Sequence, residues 1–253
     1  MAIKLRSPSK KRQKRWILLF FTLVIIASSL GIGYQVFKPQ IWGYLAGLRV
    51  TKNLSNTGQI HKQGRPDKSI IYGNNDLNGL NNNHAQGKLE LRGYLSLPLQ
   101  NGVRVSIKTM PIYEGTSENV LKNGAGTAKP NEVLGQNNLA VEAHNFADNS
   151  TFFSPLQARV SVSAKPLVYL YDGTNIYVYQ LTTWDKLPLS RSDVLEDTAV
   201  STSTPQITLS TCFEEYPDYY HAKYRVVVTG HLVNQVAFSN AQKQVQNLFR
   251  FNK

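Results

Sequence analysis

This chain of 253 residues has one thiol, Cys212, at the end of the run Thr208-Leu209-Ser210-Thr211-Cys212. A thiolate is the nucleophile, so a reactive cysteine needs a cation to favour ionisation and a group to move the proton. Arg225 lies thirteen residues on, at the start of the run YRVVVTGHLV. If the two runs are adjacent strands, the guanidinium approaches the thiol at one end of a sheet. There it can lower the thiol's pKa or hold a developing oxyanion. Proton transfer falls most often to histidine. His144 is the best placed of the five, because it ends the run NLAVEAH. His61 and His84 come before the patterned region, His221 lies in a tyrosine-rich loop, and His231 is inside or just past the last expected strand.

With one cysteine, an internal disulfide is impossible and a cysteine-clustered zinc site is excluded. The histidines are scattered without metal-ligand spacing, so no metal set is read. The net charge of +12 suggests nucleic acid until it is located. Lys4, Arg6, Lys10, Lys11, Arg12, Lys14 and Arg15 supply seven of those charges within residues 1–15, a stretch that has no acid. The basic pI therefore comes from a short head, and no nucleic-acid partner is expected.

Residues 16–37, WILLFFTLVIIASSLGIGYQVF, carry no charge and are long enough to cross a bilayer as a helix. Trp16 and Tyr34 sit near the two ends, where aromatic rings favour the interface. The adjacent basic head keeps residues 1–15 in the cytoplasm and puts 38–253 outside. A cleaved signal peptide is the rival, with small residues at Ala27-Ser28-Ser29. The apolar run continues past them, which favours an uncleaved anchor. Outside the membrane, an unpaired cysteine is either a reactive thiol or a bridge to another chain, unless it is only a small buried apolar residue.

Residues 38–88 read as a stalk and approach segment. They include YGNNDLNGLNNNH (72–84), which is turn chemistry with little to bury. From Leu89 the pattern becomes period two: LELRGYLSL, VRVSI, NLAVEAH, LVYLY, NIYVYQLTT, QITLST and YRVVVTGHLV. Asp172-Gly173 marks a hairpin. Short helices are expected at Ser117–Asn123 and around Phe152–Ala158. A connection from about Thr183 to Pro205 is too long to be idle in a compact domain. The chain is mainly β, and a closed barrel would remove its exposed edges.

These residues resemble the sortases, the cysteine transpeptidases of Gram-positive cell surfaces. Thr208–Cys212 resembles their Thr-Leu-x-Thr-Cys signature, Arg225 the arginine that opens their final strand, and His144 their histidine. The text LPLQNGVRVSIKTMPIYEGTSENVLKNGAGTAKPNEVLGQNN, then His144-Asn145, then FFSPL, is similar as well. The resemblance covers about 89–233 and implies a closed sortase-type β-barrel over 89–253. It is most like class A, the housekeeping type, given the N-terminal anchor and the GAGT–Pro region. Ser210 keeps class B, with a different sorting motif, as an alternative. A non-catalytic, membrane-anchored wall-binding or adhesin domain is the alternative of another kind.

The implied reaction cleaves a Leu-Pro-x-Thr-Gly sorting signal between Thr and Gly. Cys212 would be nucleophile, Arg225 would hold the oxyanion, and His144 would protonate the leaving amine. The amine of a lipid II-like peptidoglycan precursor would resolve the thioester, joining a surface protein to the wall. Leu187 and Pro188 would line the groove for the Leu-Pro part, and Thr211 would help place the thiol or the substrate. No cofactor is implied, although some sortases bind calcium through carboxylates in the region of Glu114 and Glu118. One residue departs from the family pattern: Glu142, where a small residue is usual. In a regular strand it shares a face with His144, and its carboxylate would lie near the imidazole.

Overall fold

The computed structural model describes residues 10–55, 58–64, 89–197, 203–215 and 222–251. Its contacts divide the chain into two compact units, Met1–Ile41 and Trp42–Lys253. The first unit's described residues, from Lys10, are helical. The segment Lys14–Lys38 has a mean hydropathy of 2.3, none of it buried, which is long and apolar enough to cross a membrane. It belongs to helix α1, Lys10–Ser55.

In the second unit, eight strands close into a barrel: β1 (Leu91–Leu97), β2 (Ile107–Tyr113), β3 (Ala125–Thr127), β4 (Asn138–Glu142), β5 (Leu167–Tyr171), β6 (Asn175–Pro188), β7 (Gln206–Phe213) and β8 (Tyr224–Ala237). Their order around the barrel is β1-β2-β3-β4-β7-β8-β6-β5. The β2/β3 and β4/β7 pairs are parallel and the rest antiparallel. This is the mainly β, closed architecture that the period-two runs imply. Side chains alternate across a strand, so Ile207 and Leu209 of β7 and Val226 and Val228 of β8 enter the interior core. Thr208, Ser210 and Cys212 then share the opposite face of β7.

The expected hairpin at Asp172-Gly173 joins β5 to β6. The Asp172 carboxylate accepts from the backbone N–H groups of Thr174 (2.8 Å) and Asn175 (2.7 Å), and Gly173 takes φ +90°, which a side chain would oppose. Gly126 of the GAGT run serves another need. A Cβ there would come within 2.0 Å of the Gly115 carbonyl, so only glycine lets β3 pass that turn. The two expected helices are present in shorter form. Helix α2 covers Glu118–Leu121, capped by Ser117, and a 3-10 turn covers Ser154–Ala158.

Three expectations change. The run VRVSI is not a strand beyond Ile107. Val103 and Val105 are buried in alternation without a ladder, and β2 starts only at Ile107 and runs through Pro111. The connection after Thr183 is shorter than expected, because β6 stays paired with β8 through Pro188. What remains is 189–205, with a 3-10 turn at Ser192–Leu195. The expected stalk, 38–88, is helix as far as Ser55, and Ala46 and Val50 reach the barrel core. Its next part, 58–64, lies on the barrel, where the N–H of His61 donates to the Leu91 carbonyl at 2.8 Å. The asparagine-rich run 72–84, His84 and His221 lie outside the described residues.

Candidate active site

The site lies where β4, β7 and β8 run side by side. The β7/β8 register places Cys212 directly opposite Arg225, and Thr211 opposite Val226. The β4/β7 register places Glu142 opposite Ser210. Three adjacent strands thus bring Glu142, Ser210, Cys212 and Arg225 to one side of the wall.

His144 follows the end of β4, and its flanking residues are tied to β7. The Ala143 N–H donates to the Ser210 carbonyl (3.2 Å), and the Thr211 hydroxyl donates to the Ala143 carbonyl (2.7 Å). On the other side, the Asn145 amide donates to the Cys212 carbonyl at 2.9 Å. Asn145 also donates to Gln157, which grips the backbone of Glu214 through both its N–H (3.0 Å) and its C=O (2.8 Å). The histidine turn and the cysteine strand end are therefore one hydrogen-bonded body. Asn145 and Gln157 were not singled out from the sequence, where only the adjacency His144-Asn145 hints at the clamp.

Thr211 is buried, and its hydroxyl holds Ala143. Leu187 and Pro188 are not loop residues. They end β6, opposite Arg225 and Tyr224 respectively, with Leu187 half-buried and Pro188 exposed. The segment 189–197 is fixed to the wall by Asn138, whose amide donates to the carbonyls of Val194 (3.1 Å) and Glu196 (3.0 Å). Leu195 is buried against Ala128 and Ala140.

Glu142 departs from its expected place. It is 7% exposed, and its carboxylate accepts from Arg225 Nη1 at 3.1 Å and from the Ser210 hydroxyl at 3.2 Å. It faces neither His144 nor solvent. The reason is register: Glu142 falls on the face of Ser210 and Cys212, where burial requires a counter-charge and Arg225 supplies one. Removing one partner of such a buried pair costs about 3–5 kcal/mol. The carboxylate beside the imidazole is Glu118 of α2, with Oε2 3.5 Å from His144 Nε2. Burial opposes ionisation of Glu118, but the hydrogen bonds and charges of His144 and Lys122 hold its carboxyl below the ordinary range.

Cys212 is half-buried and unbridged. Burial first, then the carboxylates of Glu214 and Glu142, push its thiol up to about 11, against the opposing pull of Arg225. For calcium, the two carboxylates singled out have separate engagements. Glu114 is buried against Arg92, and Glu118 is shared by Lys122 and His144. Among the described residues, no group of three or more His, Cys, Asp or Glu side chains gathers as a metal set.

With this geometry in view, the comparisons with known proteins are specific. The family model for the Sortase domain matches residues 104–233. The chain is 27% identical over 219 residues to sortase A of Bacillus anthracis, covering 86% of this chain and 96% of that protein. It is 30% identical over 162 residues to sortase A of Streptococcus agalactiae serotype III, strain NEM316, covering 61% of each. Among solved structures, sortase A of Listeria monocytogenes superposes with a TM-score of 0.51 at 24% identity, over 64% of this chain and 99% of that one. Sortase C-3 of Streptococcus pneumoniae also gives 0.51, at 20% identity, over 85% of this chain and 93% of that one. The two superpositions speak to the barrel alone, and the match over 104–233 spans the strands that carry Glu142, His144, Cys212 and Arg225. This chain belongs to the sortase family of cysteine transpeptidases.

Proposed function

We propose that this enzyme cleaves a Leu-Pro-x-Thr-Gly sorting signal between Thr and Gly and transfers the acyl group to the amine of a peptidoglycan precursor, as a class A-type sortase does. The observation that carries the reading is the register that sets Cys212 opposite Arg225, with the His144 turn bonded to the same strand end. In this reading Cys212 Sγ attacks the threonine carbonyl carbon as its proton passes to His144. The oxygen takes up negative charge beside the Arg225 guanidinium. The C–N bond breaks, the glycine nitrogen takes a proton from His144, and a thioester remains. An incoming amine attacks that thioester and gives up a proton to His144, the C–S bond breaks, and His144 returns the proton to Cys212 Sγ.

The helix over Lys14–Lys38 supports anchoring at the membrane, with residues 1–15 inside and the barrel outside. Leu187, one strand over from Arg225, and the segment 189–197 line the approach for the Leu-Pro part, and Pro188 marks its outer end. Thr211 places the histidine turn rather than the substrate. No metal or cofactor enters these steps. The surface-protein substrate and the lipid II-like amine are read from the family. Their test is a panel of quenched Leu-Pro-x-Thr-Gly peptides with and without an added amine. Cleavage without amine and ligation with it are expected, and a chain inert on the whole panel contradicts the reading.

A further inference from the structure

Glu142 sits at the end of β4, two strands from Arg225, yet the two side chains meet. Arg225 is 1% exposed and starts opposite Cys212. To reach Ser210 Oγ (3.4 Å) and Glu142 Oε1 (3.1 Å), its guanidinium runs back along the sheet and crosses β7. Arginine has many rotamers, and this pair selects the one directed toward β4. A carbonyl oxygen arriving over Cys212 therefore meets a guanidinium already held in place.

We propose that Glu142 is a positioning residue that, with Ser210, fixes the Arg225 guanidinium across the cysteine strand. The inference rests on the transpeptidase reading above. It has a second consequence of opposite sign. A carboxylate on the face of Cys212 opposes the thiolate. Glu142 thus improves the oxyanion site while making the resting thiol harder to ionise. The other charged groups acting on the thiol are Glu214, just past the end of β7, and Arg225 from β8. Beyond them lie His144 with Glu118 of α2, and Lys186 of β6, which is paired with Glu215.

The test uses the full chain in detergent and two variants, Glu142→Gln and Ser210→Ala. The rate of Cys212 alkylation by iodoacetamide is followed against pH, and kcat and KM are measured on a Leu-Pro-x-Thr-Gly peptide. For Glu142→Gln the alkylation midpoint is expected to fall by about one pH unit. In the same variant kcat is expected to fall about ten- to a hundred-fold, because the guanidinium loses its anchor. A more reactive thiol in a slower enzyme is a signature that a structural defect does not give. Ser210→Ala keeps the charge, so its midpoint stays while kcat falls severalfold; it also serves if Glu142→Gln does not fold. An unmoved midpoint or an undiminished kcat in Glu142→Gln overturns the proposal, as does full kcat in Ser210→Ala. The midpoint needs no peptide, so a wild-type enzyme that ignores the peptide overturns the substrate reading and leaves the midpoint to decide this one.

Discussion

At the scale of single residues, Cys212 is a thiol that its surroundings hold in reserve. Burial and the nearby carboxylates raise its pKa to about 11, so the neutral thiol predominates at pH 7. The clamp between Asn145 and the Cys212 carbonyl keeps the histidine turn beside the strand end. Glu214 adds a pH dependence. Its own carboxyl is pushed up to about 7 by burial, so it is neutral well below that pH and charged above it. Only the charged form opposes the thiolate. Glu214→Gln is expected to speed Cys212 alkylation severalfold at pH 8.5 and to leave the rate at pH 5.5 unchanged. Equal acceleration at both pH values, or none at either, contradicts that role.

At the scale of elements, Asn138 of β4 joins three segments, tying its own strand to β7 and to 189–197. Its amide holds the carbonyls of Val194 and Glu196, its own carbonyl accepts from Thr208 Oγ1 at 2.7 Å, and its N–H donates to Asp197 at 3.3 Å. Asn138→Ala leaves buried groups unsatisfied, each at about 1–3 kcal/mol. It should lower the urea midpoint and free 189–197, raising the peptide KM more than it lowers kcat; an unchanged KM contradicts the segment's part in binding. The strands that carry the site were legible in the sequence because β4, β7 and β8 alternate apolar and polar residues over a buried wall. The end of β6 was not. From Thr182 to Pro188 its residues are exposed or half-buried, and only the long partner β8 keeps them in the sheet. Pro111 lies within β2, which pairs with β3 only at Ile112 and Tyr113, just past the proline. The order His144, Cys212, Arg225 was readable, but the partner of Glu142 was not. That partner depends on a parallel β4/β7 register between segments more than sixty residues apart in the chain, and no local pattern encodes it. The clamp through Gln157 was hidden for the same reason.

At the scale of the whole molecule, a charged head and an apolar helix long enough to cross a membrane precede the barrel in the chain. Seven of the net twelve positive charges precede the apolar segment. That asymmetry predicts a cytoplasmic N-terminus. Protease added to intact protoplasts should digest the barrel and spare an N-terminal tag; protection of the whole chain contradicts this topology. The central claim is that Cys212 carries the acyl group between a sorting peptide and an amine. The direct measurement follows both cleavage and ligation of a quenched Leu-Pro-x-Thr-Gly peptide by the wild type and by Cys212→Ala, with the mass of each enzyme recorded before amine is added. The wild type is expected to gain the mass of the acyl fragment on Cys212 and to lose it when amine arrives. Cys212→Ala, folded as before, is expected to show no adduct, no cleavage and no ligation. Turnover by Cys212→Ala, or an adduct on any other residue, would contradict the account.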